Sequence, residues 1–469
     1  MTEDQRLTQI VPSERQLALQ QLEFYAFIHF TVNTFTDREW GDGTESPTLF
    51  DPTRLDADQW VRAIKAAGMK GLILTCKHHD GFCLWPSRHT RHSVAASPWR
   101  GGQGDVVAEV AEACRRGGVK FGVYLSPWDR HEPLYGTGKP YDDYFIAQLT
   151  ELLTGYGDIF CVWLDGACGE GPNGKKQYYD WERYYAAIRA LQPGACIHVC
   201  GPDVRWCGNE AGDTREAEWS VVPRRTADTE KVASASQQAD DTAFRQRPIH
   251  AQDRDLGSRK ALQDEPELIW YPAEVNTSIR PGWFWHASED DQVRPLDELI
   301  HIYEHSVGGN ATFLLNIPPT REGLLHPADV ARLKAFGDYM TDAYGRDLMP
   351  GAVLSGSPHR EGCALDALLT DDDSRWYMPL DARAEWIVRW DTHHTFRRIV
   401  LKENLRLSQR VERFAVDIET PDGWQQVYAG TVIGHKRIVT LPTTTTTALR
   451  IRILDSRCEP AIAFMAVYA

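Results

Sequence analysis

Short apolar runs alternate with amphipathic helical segments over roughly the first 345 residues of this 469-residue chain. Most of these runs are apolar throughout, as expected of parallel strands that are covered on both faces. We interpret as strands the residues 24–30, 71–76, 120–125, 158–164, 197–200, a weakly marked 218–221, 275–279 and 312–317. About eight strands separated by helices predict an α/β fold, a (β/α)8 barrel of the TIM type.

The helical segments between these strands carry start and stop signals. Asp56 is a suitable N-cap for a helix that places Trp60 and Ile64 on one face and ends at Gly68. A doubly wound open sheet is the alternative arrangement of such units. No GxGxxG sequence follows the first strand, which disfavours a dinucleotide-binding fold.

The sequence changes in character after about residue 345. Turn signals such as Pro421-Asp422-Gly423 separate short β-rich segments at 386–390, 398–401, 414–419, 424–428, 438–441 and 448–453. This pattern predicts a β-sandwich. We therefore expect a barrel domain at residues 1–345 and a β-sandwich domain at 346–469, with the polar segment 224–265 as an excursion from the barrel near its functional face.

The charge of the chain restricts its partners. A net charge of -15 disfavours nucleic acid and anionic membranes, since both require a positive protein surface. No apolar run reaches transmembrane length, and residues 1–16 lack a basic stretch followed by an apolar one. We expect a cytoplasmic protein, although a periplasmic or secreted protein that had lost its signal would look the same. The sequence predicts no oligomeric state.

Polar and aromatic side chains crowd the positions where the predicted strands end. In a (β/α)8 barrel the active site is built from these C-terminal strand ends. The candidate site residues are His29, Glu39 and Trp40 after the first strand, His78 and His79 after the second, Tyr124 in the third, Asp165 after the fourth, Glu210 after the fifth, and Trp283 and Trp285 after the seventh.

Two carboxyl groups are the candidates for catalysis. Asp165 follows a strongly apolar strand and precedes Gly166, so that it projects into the top of the barrel. Glu210 follows the next strand, and a retaining glycosidase uses two carboxyls about 5–5.5 Å apart as nucleophile and acid/base. The alternatives are that Asp165 only caps a turn, that Glu210 is a solvated loop carboxylate, or that Glu216 or Glu218 takes its place.

His29, His78 and His79 allow two interpretations. They could ligate a metal, with Asp80 as a further ligand. Adjacent residues of an extended strand point to opposite faces, however, and no HxH or HExxH pair accompanies these histidines. We therefore predict neutral imidazoles that hydrogen-bond to sugar hydroxyls, with no catalytic metal and no cofactor.

A series of motifs in a fixed order occupies most of residues 20–340. They are FYAFIHF, EWGDGTE, TCKHHDGFCLWPS, GVYLSPWDRH, VWLDGA, RWCGNEAG, DLGSR, AEVNTSIRPGWFWH and SVGGNATFLLNIPP. Taken together they resemble glycoside hydrolase family 29, the retaining α-L-fucosidases. The resemblance implies that Asp165 is a nucleophile that forms a covalent fucosyl-enzyme. It also implies that the fucose ring is held by His29, Glu39, Trp40, His78, His79 and Tyr124, with Trp283 and Trp285 against its C6 methyl group.

The RWxGNE form of one motif narrows the expected substrate. It is similar to the subgroup that cleaves α1,3- and α1,4-linked fucose from Lewis-type glycans, and it makes Glu210 the acid/base. A fucosylated oligosaccharide is then the expected partner. An inactive glycan-binding protein and a metal-dependent barrel hydrolase are the alternative functions.

The C-terminal part resembles a discoidin-like or carbohydrate-binding β-sandwich. Asp371, Asp372 and Asp373 are candidate ligands of a structural Ca²⁺, and an acidic surface turn is the alternative.

Overall fold

The computed structural model describes residues 2–248, 250 and 253–469, and it begins with alternating strands and helices. The strands up to residue 316 are β1 (Phe24–Ile28), β2 (Gly71–Lys77), β3 (Lys120–Leu125), β4 (Ile159–Leu164), β5 (Cys196–Val199), β6 (Arg205–Trp206), β7 (Val221–Pro223), β8 (Leu268–Trp270), β9 (Ala273–Ser278) and β10 (Ala311–Asn316). The α-helices are α1 (Glu3–Thr8), α2 (Glu14–Leu22), α3 (Val32–Thr36), α4 (Ala57–Ala66), α5 (Val106–Gly117), α6 (Lys139–Gly155), α7 (Trp181–Leu191), α8 (Thr229–Ala235), α9 (Thr242–Arg245), α10 (Arg259–Leu262), α11 (Leu296–Ser306) and α12 (Pro327–Ala343).

Within the described residues, a parallel sheet of eight strands has the order β5-β4-β3-β2-β1-β10-β9-β6. Because β1 pairs with β10, the first and last strand–helix units of the chain are neighbours. An isolated parallel bridge between His198 and Val204 brings together the two remaining edges, β5 and β6. The predicted TIM-like barrel is therefore confirmed, and the doubly wound open sheet is wrong.

The sixth barrel strand is not the segment that the sequence predicted. The structure places Arg205–Trp206 beside β9 in the barrel, whereas Val221–Pro223 pairs antiparallel with Leu268–Trp270 outside it. The prediction of a barrel strand at 218–221 is wrong because a strand of two residues is too short to show a hydrophobic pattern. No described helix separates β5 from β6, since only residues 200–204 lie between them.

Helix α4, which precedes β2, illustrates how local sequence sets the barrel's outer layer. The Asp56 carboxylate accepts a hydrogen bond from the Gln59 amide at 2.9 Å and so caps α4 at its N-terminus. Trp60 and Ile64 are fully buried against the sheet, as predicted. Gly68 then leaves the helix with a φ of 84°, a conformation that favours glycine.

The polar segment 224–265 lies between β7 and β8, outside the barrel sheet, and is thus an excursion from the barrel, as predicted. It contains α8, α9 and α10 within its described part. Side chains of this segment reach the barrel's C-terminal face, where Ser236 and Gln237 line a pocket. The segment is therefore part of the functional face of the barrel.

The C-terminal part is an antiparallel sheet domain. Its strands are β11 (Val353–Gly356), β12 (Ala384–Glu403), β13 (Val411–Thr420), β14 (Gly423–Gly430), β15 (Arg437–Ser456) and β16 (Ile462–Tyr468). The sequence predicted short strands where the structure has two long ones, so that several of the predicted strands are halves of β12 or β15. These two strands pair along their length, with irregularities near Arg389 and Phe396. Apolar side chains from both halves, such as Trp386 and Leu401, belong to one buried core.

The Asp371–Asp373 turn is neutralised by the protein's own side chains. Lys402 Nζ contacts Asp371 Oδ2 at 2.6 Å, and Arg406 Nε contacts Asp373 Oδ2 at 3.2 Å. The Asp372 carboxylate accepts hydrogen bonds from the Ser374 amide and hydroxyl. Among the residues that the structure describes, these three carboxylates do not form a cluster of metal-ligand geometry.

The helices in the described part of the chain are all too short or too polar to cross a membrane.

Candidate active site

A pocket lies at the C-terminal ends of the barrel strands and encloses about 520 Å³, including its open mouth. Predicted site residues from loops far apart in the sequence meet there, because parallel barrel strands all end at one face. Those that line the pocket are His29, Trp40, His78, His79, Asp165, Glu210 and Trp283.

Asp165 directly follows β4, and its side chain is 20% exposed at the pocket wall. Tyr124 donates its hydroxyl to Asp165 Oδ2 at 2.8 Å, and the Ala167 amide donates to Oδ1 at 2.8 Å. Burial raises the pKa of Asp165, while these two hydrogen bonds favour the carboxylate and oppose the rise. The predicted ring-binding residue Tyr124 thus contacts the candidate nucleophile directly.

Glu210 lies on the loop after β6 and is half-buried in the same pocket. Trp283 donates its indole Nε1–H to Glu210 Oε2 at 3.2 Å. Burial is the largest of the effects that raise the pKa of Glu210 to about 8, and the negative charge of Asp165 adds to it. A carboxyl that stays protonated at pH 7, beside one that accepts two hydrogen bonds, is suited to a pair of one acid and one nucleophile.

The two other candidates for the acid/base lie elsewhere. Glu218 is fully buried in an ion-pair cluster, with Arg205 Nη2 at 2.5 Å and Arg215 Nη1 at 3.1 Å. These arginines hold the pKa of Glu218 below its ordinary value although burial opposes them. Glu216 is exposed on a separate cavity beside the C-terminal domain. Of these three glutamates, Glu210 alone lines the pocket with Asp165.

His29 is held by the amide of Asn316. His29 Nδ1 lies 2.8 Å from Asn316 Oδ1, and the Asn316 Nδ2 group donates to the Trp283 carbonyl at 2.8 Å and to Ser278 Oγ at 2.9 Å. Since Asn316 donates with its nitrogen, its oxygen accepts from His29 Nδ1–H. Burial lowers the pKa of His29 to about 4, so its ring is neutral at pH 7.

His79 is held in a corresponding way by Ser126. His79 Nδ1 lies 2.7 Å from Ser126 Oγ, and the Ser126 hydroxyl donates to the Trp128 carbonyl at 2.7 Å. Its other nitrogen, Nε2, is 3.9 Å from Asp165 Oδ2. Burial lowers the pKa of His79 to about 3, so this ring is also neutral.

His78 packs its ring parallel to that of Tyr124, with centroids 5.6 Å apart. One nitrogen each of His78 and His79 and one carboxylate oxygen of Asp165 lie within 4.8 Å of one another, a separation that would also suit metal ligands. Both imidazoles are neutral, since burial lowers their pKa values. Each can therefore accept a hydrogen bond from a sugar hydroxyl, as can a carboxylate oxygen of Asp165.

Glu39 does not line the pocket but holds one of its walls in place. Its buried carboxylate accepts from the backbone amides of Trp283 at 2.8 Å and Phe284 at 3.0 Å. His286 Nε2 lies 2.7 Å from Glu39 Oε1, and Arg245 Nη1 lies 3.4 Å from Oε2. Glu39 is thus occupied by the loop that carries Trp283.

Trp285, a predicted contact of the sugar methyl group, is outside this pocket. Its indole Nε1–H donates to Asp290 Oδ1 at 3.0 Å. Trp40 lines the pocket and packs edge-on against His79 and Trp128, with ring centroids 5.2 and 5.4 Å away.

Comparison with known sequences settles the family of the chain. The sequence model of the alpha-L-fucosidase family matches residues 16–345. The chain belongs to that family. It is an α-L-fucosidase of glycoside hydrolase family 29, and the relatives below are consistent with this assignment.

Two kinds of relatives resemble this fucosidase over almost its whole length. Alpha-L-fucosidase 1 of Arabidopsis thaliana is 38% identical over 98% of this chain and 87% of its own. A solved glycoside hydrolase 29 family member from an unknown rumen bacterium is 39% identical, with a TM-score of 0.79 over 98% of this chain and 77% of that one. A Ruminococcus gnavus GH29 fucosidase solved in complex with fucose is 28% identical, with a TM-score of 0.83 over 98% of this chain and 95% of that one.

The fucosidase pocket also contains residues that the sequence analysis did not select. They are Phe27, Trp163, Ala167, Val199, Trp206, Ser236, Gln237 and Asn276. Trp163 and Asn276 lie inside strands β4 and β9 rather than after them, so reading only the strand ends missed them. The run of polar residues in the predicted strand that contains Asn276 was the signal that could have found it, since side chains of a barrel strand alternate between inside and outside.

A second cavity of the fucosidase shares Glu210 and Trp283 with the first. It encloses about 1010 Å³, including its opening to solvent. Among its lining residues are the polar side chains of Arg245, Gln246, Thr277, Ser278, Gln292, Arg294 and Glu298.

Proposed function

We propose that this protein is a retaining exo-α-L-fucosidase that removes terminal α1,3- and α1,4-linked fucose from Lewis-type glycans. The observation that carries the proposal is the pairing of Asp165 and Glu210 in one pocket, with the pKa of Glu210 raised to about 8. Asp165 is the nucleophile and Glu210 the acid/base.

The reaction is a double displacement. Asp165 attacks the anomeric carbon while Glu210, protonated at neutral pH, donates its proton to the departing glycosidic oxygen. The ionised Glu210 then takes a proton from water, which attacks the fucosyl-enzyme and releases fucose with its configuration retained. Tyr124 donates to Asp165 Oδ2 and disperses the negative charge that the carboxylate regains in the second step.

The pocket walls are suited to a single terminal sugar. Neutral His29 and His79 can accept from ring hydroxyls, while Trp40 and Trp283 offer aromatic faces to its apolar side. The Ruminococcus gnavus relative holds fucose, which supports fucose as the sugar in this pocket.

The second cavity is the place for the leaving group. The acid/base must contact the oxygen that joins fucose to the rest of the glycan, so the leaving group lies beside Glu210 and away from Asp165. The cavity that shares Glu210 and Trp283 with the fucose pocket meets this requirement, and its mixture of polar and apolar surface is suited to a sugar. A leaving-group site with hydrogen-bonding side chains supports a glycan over an aryl fucoside.

The main test compares fucose release from Lewis a and Lewis x trisaccharides with hydrolysis of 4-nitrophenyl α-L-fucoside. We expect fast release from the trisaccharides, slow aryl turnover, and loss of both in Asp165→Asn with the fold retained. Similar rates on both substrates would remove the linkage proposal and leave the fucosidase. Normal turnover by Asp165→Asn would overturn the assignment of the nucleophile.

The roles of the two carboxyls can be separated with azide and an activated fucoside whose leaving group needs no proton. Asp165→Gly should be rescued with formation of β-L-fucosyl azide, because azide then attacks the substrate once. Glu210→Ala should give α-L-fucosyl azide, because azide attacks the fucosyl-enzyme. Glu216→Ala is the matched control and should behave as wild type, since Glu216 is exposed outside the pocket.

The cluster of His78, His79 and Asp165 favours one alternative function, a metal-dependent hydrolase. Dialysis against EDTA followed by metal analysis distinguishes the two. Full activity of metal-free protein supports the carboxylate mechanism, and loss of activity that is restored by a divalent metal would contradict it.

A further inference from the structure

Two of the pocket histidines are fixed by partners that lie behind them. His79 contacts Ser126 through Nδ1 at 2.7 Å, and His29 contacts Asn316 through Nδ1 at 2.8 Å. In each case the nitrogen that remains, Nε2, belongs to a ring that lines the pocket.

The direction of each of these hydrogen bonds follows from the other hydrogen bonds that the partner side chain makes. Ser126 has one hydroxyl proton, which it donates to the Trp128 carbonyl at 2.7 Å, so Ser126 Oγ must accept from His79. The Trp128 carbonyl can only accept, so the direction of the Ser126–His79 hydrogen bond follows without assuming a tautomer for His79. His79 therefore carries its proton on Nδ1 and a lone pair on Nε2.

The same reasoning applies to Asn316, whose amide orientation is set by two acceptors. Its Nδ2 group donates to the Trp283 carbonyl and to Ser278 Oγ. The Ser278 hydroxyl donates its own proton to the Gly282 carbonyl at 2.7 Å, so Ser278 Oγ can only accept from Asn316. Asn316 Oδ1 is left to accept from His29 Nδ1–H. The two imidazoles thus reach the same tautomer through unrelated partners.

The position of Ser126 is set by the segment around it. The Ser126 amide donates to the Lys77 carbonyl at 3.0 Å, and the Arg130 amide donates to the His79 carbonyl at 2.9 Å. Lys77 and Asp129 form a buried ion pair at 2.9 Å between the same two segments. Ser126 Oγ is therefore held relative to His79 from both sides.

We infer that Ser126 and Asn316 are positioning residues that fix His79 and His29 as hydrogen-bond acceptors toward the sugar. The inference rests on the proposed function of the pocket. His79 Nε2 is then an acceptor that lies 3.9 Å from Asp165 Oδ2, and a sugar hydroxyl in contact with Nε2 is the donor that it requires. A sugar with fluorine in place of that hydroxyl has no proton to donate and leaves the lone pairs facing one another.

The binding test uses free L-fucose and its 2-, 3- and 4-deoxyfluoro analogues, titrated calorimetrically into wild type, Ser126→Ala and Ser126→Thr. In wild type we expect one or more of the fluorinated sugars to bind about tenfold more weakly than fucose. In Ser126→Ala we expect the affinity for fucose to fall. We also expect a smaller ratio between the affinities for fucose and for the analogue that carries fluorine in place of the hydroxyl that contacts His79. In Ser126→Thr, which keeps the hydroxyl, the wild-type pattern returns.

Ser97→Ala is the matched control, since Ser97 is a buried serine that also donates to a backbone carbonyl at 2.7 Å but contacts no histidine. It should leave all four affinities unchanged. If Ser126→Ala weakened all four sugars by the same factor, Ser126 would have only a structural role and the inference would be overturned. Asn316→Leu, which removes the acceptor of His29 Nδ1–H, is an independent variant and is expected to change the penalty for fluorine at a different hydroxyl.

The tautomer can also be observed without any ligand. In ¹⁵N-histidine-labelled protein, with His79 assigned by the loss of its signals in His79→Gln, we expect a protonated Nδ1 and an unprotonated Nε2. A wild-type His79 protonated on Nε2 would contradict the inference. Failure of the wild type both to bind and to release fucose would instead overturn the proposed function, so the two failures are distinguishable.

Discussion

At the scale of single residues, the raised pKa of Glu210 sets the alkaline side of activity. The acid form of Glu210 is present below about pH 8, so kcat/KM on a trisaccharide should fall as the pH rises past that value. Trp283 donates to the ionised form of Glu210 and lowers its pKa. Trp283→Phe should therefore move the descending limb upward by roughly half a unit to one unit.

The measurement is kcat/KM from pH 6 to pH 10 for wild type, Trp283→Phe and Trp285→Phe. Trp285 donates to Asp290 rather than to Glu210, so its replacement should leave the limb in place. If the descending limb of the pH profile is unchanged or moves to lower pH in Trp283→Phe, a group other than Glu210 controls it.

The site was predictable from sequence where a residue follows a strand, as Asp165 and His29 do. Barrel topology carries such residues to one face regardless of their spacing. What each side chain contacts there was not predictable. Glu39 was predicted to contact the sugar, and the structure shows in addition that its carboxylate holds the Trp283 loop through two backbone amides that are distant in sequence.

At the scale of elements, the loop after β9 depends on Glu39. Glu39→Gln replaces one acceptor oxygen by a donor facing N–H groups, and loss of this buried charged contact should cost about 3 kcal/mol of stability. Since Trp283 lies on that loop, kcat/KM should fall on both trisaccharide and aryl substrates. Urea unfolding and kinetics check this. Asp37→Asn, which removes only the exposed partner of His286, should cost less than about 1 kcal/mol.

The same loop should also be sensitive to alkaline pH. The hydrogen bond to Glu39 is the main cause that raises the pKa of His286 from 6.5 to about 9. Because the folded pKa is above the unfolded one, this stabilisation is complete below pH 6.5 and is lost as the pH rises through 9. In His286→Gln the free energy of unfolding should no longer fall between pH 6.5 and pH 9 from this cause. The same pH dependence in His286→Gln as in wild type would show that His286 is not its source.

The leaving-group cavity allows a test that leaves the fucose pocket intact. Gln292 is exposed and lines only the second cavity of the two. Gln292→Ala should lower kcat/KM on the Lewis trisaccharides about threefold to tenfold, the range expected for one hydrogen bond. Turnover of 4-nitrophenyl α-L-fucoside should not change. Gln426→Ala, an exposed glutamine of the C-terminal domain, is the control.

Element prediction succeeded where a segment carries its own signals and failed where its neighbours define it. The cap at Asp56 and the apolar face of α4 were visible locally. Strand β6 consists of two residues that are recognised only through their pairing with β9, and the long strands β12 and β15 bend at irregularities that interrupt their pattern. These features arise from tertiary pairing, which a pattern along one chain does not contain.

At the scale of the whole molecule, a buried carboxylate joins the barrel to the C-terminal domain. Glu23, between α2 and β1, contacts Lys436 at 2.5 Å, His435 at 2.9 Å and Lys402 at 3.7 Å, all from the C-terminal domain. Burial opposes ionisation, but the charge of Lys436, a hydrogen bond from His435 and the charge of Lys402 hold the pKa of Glu23 well below its ordinary value. Arg398 and Glu304 form a second buried pair across the same interface, at 2.6 Å.

Glu23→Gln removes one charge and leaves its partners buried without compensation, which should cost about 3–5 kcal/mol. The exposed pair of Arg54 and Glu322, with side chains 66% and 56% exposed, provides the control: Glu322→Gln should cost less than about 1 kcal/mol. Because the folded pKa of Glu23 is below the unfolded value of 4.5, its contribution is present above that pH and is lost as the pH falls further. Urea unfolding at pH 7 and pH 4 should thus show a gap between wild type and Glu23→Gln that narrows in acid. A gap of the same size at both pH values would mean that packing, and not charge, joins the two parts of the molecule at this point.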